Sequence, residues 1–208
     1  MSRGWFFCVE GVDGAGKTTQ CQLLADWLRE RGYGVVLCRD PGGTAIGERI
    51  REILLSVNGA SAMTELLLFM ASRAQLVTEV IRPALQRGEI VLADRFLLAS
   101  VVYQGYAGGI CPERIWELGR WATAETLPDL TVVLDLPPER ARQRKAEWRD
   151  QFEQRGMEFL GRVRAGYLAE AQRCPATIVV VNADRSPAEV QADLRSEVGR
   201  VLSGNTRS

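Results

Sequence analysis

The chain has 208 residues, 46% apolar and 25% charged, the proportions of one globular domain built round a single core. Lys plus Arg and Asp plus Glu each total 26, and this balance excludes a general nucleic-acid or polybasic membrane binder, because affinity for a phosphate backbone needs excess cations. The absence of histidine excludes Ser-His and Cys-His catalysis; the five cysteines (Cys8, Cys21, Cys38, Cys111, Cys174) are scattered, odd in number and without a C-x-x-C pair, which argues against a zinc site or disulfide framework and for a reducing cytoplasm.

Strand-like runs alternate with helical patterns along the chain. The first run, 5–9 (WFFCV), is followed by "GVDGAGKT" (11–18) and a helical pattern over 17–31. The spacing G-x-x-x-x-G-K-[ST] after a strand and before a helix is that of a phosphate-binding loop. Gly11, Gly14 and Gly16 let the N–H groups of the loop, with those of Val12, Asp13, Ala15 and Thr19, converge on phosphate oxygens. Lys17 reaches the outer phosphates, the Thr18 hydroxyl ligates Mg²⁺, and the helix N-terminus favours the anion. Asp13, a carboxylate inside an anion loop, is the odd residue.

A second strand is expected at 35–38, helices at 45–56 and 63–86, and a third strand at 90–93 that leads into Asp94 and Arg95. A Mg²⁺ site needs a carboxylate beside the loop, and Asp94 supplies it if this strand neighbours the first; Arg95 then faces a phosphate. Helices follow at 113–126, 138–147, 156–173 and 187–202, with strands at 131–135 and 177–181. Ser186-Pro187 has the form of a helix N-cap followed by Pro at the first position. Such short unbroken β-branched runs imply strands buried on both faces of a parallel sheet. The charge-dense stretch 144–155 (RKAEWRDQFEQR) is either a solvated surface segment or a basic flap over an anionic ligand. No run approaches the roughly 18 apolar residues of a membrane span, and the early glycine loop leaves no room for a signal peptide in this sequence. The late "VVVNADRS" lacks the lysine and spacing of an N-K-x-D guanine motif, which weighs against a GTP switch.

The motifs "VEGVDGAGKTTQ" (9–20), "RDPGGTAIGERIREILL" (39–55), "ELLLFMASRAQLV" (65–77), "DRFLLASVVYQG" (94–105), "LPDLTVVLDLPPE" (127–139) and "RVRAGYL" (162–168) together resemble the thymidylate kinase family over almost the whole chain. The resemblance implies a five-stranded parallel sheet of order 2-3-1-4-5, transfer of the γ-phosphoryl of ATP to dTMP with Mg²⁺, and a homodimer. It places Asp13 toward the sugar of the acceptor, where nearby Arg or Mg²⁺ neutralises it. Phe69 is implied to stack on thymine, with Arg73 donating to O4. Tyr103 packs on the deoxyribose, and Gln104 meets the base or sugar. Arg51 and Arg95 grip the monophosphate, and Arg39 and Pro41 belong to an R-[DE]-P-G-G element whose Asp40-Pro41 bond is a candidate for cis.

Asp40 stands where the family usually has Glu, a conservative change, and three further positions depart from the family pattern. Gly14 stands where some members have a loop arginine. Gln151 replaces the arginine of the D-R-[IF]-E lid element, so that Arg144, Lys145, Arg149 and Arg155 are the candidate lid cations, with Arg149 the candidate substitute. Ala99 replaces a common serine. A related kinase for dUMP or another acceptor, and a non-catalytic ATP-dependent regulator, remain the alternatives.

Overall fold

The computed structural model describes residues 3–57, 59–144 and 155–204. Strand β1 (Phe6–Gly11) is buried at every position. A strand without polar alternation needs cover on both faces and both edges, and β1 accordingly lies in the middle of the sheet. It pairs in parallel with β3 (Ile90–Asp94) on one side and β4 (Leu130–Asp135) on the other. β2 (Val35–Arg39) and β5 (Ile178–Asn182) complete the order β2-β3-β1-β4-β5. The two outer strands correct the expectation of burial on both faces: β2 is half-buried to exposed along its length, and Val180 of β5 is exposed.

Register fixes where the chemistry can sit. Asp94 is level with Val9 of β1 and with Arg39 of β2. The residues that follow β1, β2 and β3 therefore emerge side by side at the carboxyl edge of the sheet, where open α/β folds bind their ligands.

Helices α1 (Lys17–Arg29) and α9 (Pro187–Leu202) pack together against the sheet. Ser186 and Glu189 form a reciprocal capping box at the start of α9. On the opposite side α2 (Ala45–Ser56) packs against α3 (Ala62–Leu76). The helix expected over 63–86 is not uniform. After α3 the chain makes a wide turn, Val77–Ile81, in which the Arg82 N–H reaches the Val77 carbonyl five residues back. It then continues as α4 (Arg82–Gln86). Pro83 accounts for the wide turn, since it lacks an N–H and its ring crowds the carbonyl four residues back.

One helical stretch is not marked by the sequence pattern. Residues Leu97–Ser100 form α5, extended by a second wide turn, Val101–Tyr106. Its run of leucine and valine suits a strand as well as a helix; buried packing of Leu97, Leu98, Val101 and Val102 decides the outcome. The packing against α6 (Pro112–Ala122) depends on Gly119, where an added Cβ would lie 2.2 Å from Leu97 Cδ1. Helices α7 (Pro138–Arg144) and α8 (Met157–Arg173) follow β4, and α8 lies against β4, β5 and the second wide turn.

Candidate active site

The loop between β1 and α1 has the glycine conformations its sequence implies. Gly14 has φ of 84°, and an added Cβ would meet the Ala141 carbonyl at 2.7 Å, so only glycine fits there. Helix α1 begins at Lys17 with Gly16 before it and no side-chain cap, leaving its first N–H groups to an anion. The Lys17 ammonium is buried, donates to the Val12 carbonyl at 2.9 Å and lies 3.4 Å from Asp13 Oδ1. Burial, and then the neighbouring Arg95 cation, lowers its pKa.

Thr18 and Asp94 are brought together as the strand order requires. The Thr18 hydroxyl donates to Asp94 Oδ2 at 2.5 Å. A hydroxyl and a carboxylate oxygen this close form a hard-oxygen pair that suits Mg²⁺ completed by substrate phosphates and water. Among the described residues no cluster of three or more His, Cys, Asp or Glu could hold a metal ion.

Asp13 is neutralised by protein cations. Its Oδ1 accepts from Arg95 at 2.5 Å, besides its contact with Lys17. Arg95 has φ of 71°, a conformation an L-residue adopts only when its surroundings impose it. Its N–H is held by the Val9 carbonyl, and its guanidinium also reaches the hydroxyls of Tyr103 at 3.4 Å and Tyr167 at 3.2 Å. Beneath it lies Glu10, fully buried and 3.9 Å from Arg95. Glu10 accepts from the N–H groups of Phe96 and Ala99 and from the Tyr167 hydroxyl. Burial pushes the Glu10 carboxyl above its ordinary value, against the opposing pull of Arg95 and these donors.

The other end of the cleft is built on α3. Arg73 is 1% exposed and lies one turn beyond Phe69 on the helix. Its guanidinium is held by Asp40 at 2.5 Å, Ser100 Oγ at 3.0 Å and the Phe96 carbonyl at 3.2 Å. Burial raises the Asp40 pKa, and Arg73 opposes it. The Asp40-Pro41 bond is cis. Arg51 donates to the Pro41 carbonyl, and Arg39 pairs with Glu48, which also accepts from the Gly43 N–H.

A single cavity of about 750 Å³ joins the two ends. It is lined by Asp13, Gly14, Gly16, Lys17, Thr18, Thr19, Asp94 and Arg95 at the loop and by Arg39, Pro41, Arg51, Phe69, Arg73, Tyr103 and Gln104 beyond it. Arg144 also lines it, while lying 3.6 Å from Asp184. Gly11, Val12 and Ala15 do not line it: Val12 and Ala15 are core side chains, so only their backbone can serve a ligand. Arg149 and residues 145–154 of the charge-dense stretch lie outside the described residues. Glu10, Tyr167 and Ser100, which brace the two arginines, went unassigned in the sequence. The signal for Glu10 was a lone charge at the end of an apolar strand.

Comparisons with known proteins agree with this geometry. A sequence model described as thymidylate kinase matches residues 9–194. The chain is 46% identical over 200 residues to a thymidylate kinase of Symbiobacterium thermophilum, covering 95% of this chain and 94% of that one. It is 50% identical over 195 residues to a thymidylate kinase of Pseudomonas syringae pv. tomato, covering 92% and 93%. The crystal structure of thymidylate kinase from Ehrlichia chaffeensis superposes with a TM-score of 0.79 at 33% identity, covering 94% of this chain and 99% of that one. Among the described residues no helix is long and apolar enough to cross a membrane.

Proposed function

The chain belongs to the thymidylate kinase family, a family of phosphotransferases, and we propose that it moves the γ-phosphoryl of ATP to dTMP, giving dTDP and ADP. The observation that carries this reading is the one continuous cavity with a phosphate loop at one end and a buried, donor-only guanidinium, Arg73, at the other. ATP lies with its phosphates on the loop, against the backbone N–H groups of 11–19 and Lys17. The thymine of dTMP stacks on Phe69, with O4 toward Arg73. Tyr103 closes the sugar pocket, Asp13 accepts from the sugar hydroxyl, and Arg39, Pro41, Arg51 and Arg95 surround the acceptor phosphate.

An oxygen of the dTMP phosphate attacks the γ-phosphorus in line. The new O–P bond forms as the bond to the β–γ bridging oxygen breaks, and ADP departs with that electron pair. The attacking oxygen is already anionic near neutral pH, so no protein base is assigned. Catalysis is positioning and charge cancellation. Arg95, held from below by Glu10 and Tyr167 and from the side by Asp13, is aimed at the point between the two phosphates. Thr18 and Asp94 would hold Mg²⁺, which when bound neutralises the β and γ oxygens. Arg144, at the cavity wall, supplies a further cation, and Arg149 is the lid cation proposed to serve the transferred group. Water exclusion, required to prevent hydrolysis of ATP, falls to the segment 144–155.

The five cysteines, free in the structure, support a cytoplasmic setting. Exposed Ile46 and Ile53 on α2 and Met63 and Leu67 on α3 support a homodimer through these adjoining helices. One sheet with helices on both faces supports a single domain over 1–208.

The test is ADP release with ATP, Mg²⁺ and a panel of nucleoside monophosphates. Turnover should be fastest with dTMP. A preference for AMP, GMP or CMP overturns the substrate assignment, and ATP binding without monophosphate-dependent turnover overturns the enzyme assignment.

A further inference from the structure

Among the described residues, two buried side-chain oxygens have no hydrogen-bond partner: Asp40 Oδ1 and Gln104 Oε1. The second is the more telling. Gln104 is 1% exposed yet lines the cavity, and a buried acceptor without a donor is a cost that a ligand can relieve.

What fixes the Gln104 amide is a residue that does not line the cavity. Glu65, in the first turn of α3, is fully buried. Its Oε2 accepts from Gln104 Nε2 at 3.2 Å, and its Oε1 pairs with Arg155. An ionised carboxylate only accepts. Both oxygens of Glu65 are thus engaged by donors. The amide must turn its nitrogen to Glu65, since the opposite orientation would set two acceptor oxygens against each other. Arg155 balances the buried charge, and α3 carries Glu65, Phe69 and Arg73 on successive turns of one helix.

We propose that Glu65 is a specificity-determining positioning residue: by locking the Gln104 amide, it presents Oε1 as a fixed acceptor to the ring N3–H of a thymine. The proposal rests on dTMP being the acceptor. Arg73 then offers a donor to O4 while Gln104 offers an acceptor to N3–H. Cytosine has the inverse pattern at both places, an amino donor at C4 and an acceptor at N3, so each mismatch leaves a buried group unpaired. Uracil shares the thymine pattern, so this device does not separate dTMP from dUMP.

The experiment is steady-state kinetics of the full chain with dTMP and dCMP, for Glu65→Gln, Glu65→Asp, Gln104→Ala and the double variant Glu65→Gln/Gln104→Ala, each checked by thermal melting. A glutamine at 65 can present either an oxygen or a nitrogen to Gln104 and so releases the lock. Glu65→Gln should raise the KM for dTMP about tenfold, with kcat and the KM for ATP within about twofold, and narrow the preference for dTMP over dCMP by about tenfold or more. Glu65→Asp keeps an acceptor-only partner and should retain the preference. In the Gln104→Ala background, Glu65→Gln should add little, because it acts through Gln104. An unchanged preference in Glu65→Gln, an equal loss in Glu65→Asp, or an undiminished effect without Gln104 overturns the proposal. If Glu65→Gln does not fold, Glu65→Ala takes its place: the same narrowing of preference is expected, and an unchanged preference overturns the proposal. Absence of dTMP turnover by the unaltered chain instead overturns the functional reading, and the proposal with it.

Discussion

Arg95 donates to Asp13 across 2.5 Å although the two residues are 82 positions apart in sequence. A carboxylate inside a phosphate loop is tolerable because this guanidinium and the Lys17 ammonium share its charge. In the proposed reaction the pair joins the ATP side of the cleft to the dTMP side. Asp13→Asn keeps the shape and removes the charge that holds Arg95. The kcat/KM for dTMP should fall about 100-fold, the scale of losing one aligned electrostatic contact at a reacting phosphate. The KM for ATP should move less than about threefold. A fall confined to ATP binding would contradict the shared role of Asp13.

Glu10 gives a signed pH dependence. Its carboxyl is raised above the ordinary value of 4.5 by burial. The folded chain therefore holds this proton more tightly than the unfolded chain. The stability it contributes is complete below pH 4.5 and is lost as pH rises through the folded value. Glu10→Gln removes that loss. The difference in Tm, variant minus wild type, should grow more positive as pH rises through this window. A difference that falls with rising pH would show that the carboxyl is not raised.

Gly119 sets the distance between α6 and α5. An added methyl would lie 2.2 Å from Leu97 Cδ1 and 2.5 Å from Leu97 Cδ2, and Leu97 is buried. Gly119→Ala should cost about 1–3 kcal/mol in denaturant unfolding, the range for overpacking a filled core. The α5 segment carries Ser100 and leads to Tyr103 and Gln104, so the KM for dTMP should rise along with the loss of stability. A variant as stable as wild type would mean that the helices separate freely.

The sequence disclosed those parts of the site whose geometry is local. The loop from Gly11 to Thr18 announces itself because strand, glycines, lysine and helix are contiguous. Asp94 was legible from its place at the end of a strand. The bracing residues were not: Tyr167 meets Glu10 across 157 positions, and Gln104 meets Glu65 across 39. No local pattern marks a side chain whose partner is supplied by another element. The helix over Leu97–Tyr106 was missed for a related reason, since tertiary burial chooses between strand and helix for an apolar run rich in valine. The wide turn at Val77–Ile81 follows from Pro83, a local signal that a long helical period obscured.

In the proposed reaction ATP and dTMP meet tip to tip in one cleft. This arrangement is tested most directly with thymidine and adenosine joined through their 5′ positions by a chain of five phosphates, as an inhibitor in steady-state assays with Mg²⁺. The linked compound should compete with ATP and with dTMP alike, and bind far more tightly than either nucleotide, because one ligand fills both ends of the cavity. Competition with one substrate only, or affinity no better than that of ATP, would contradict the shared cleft.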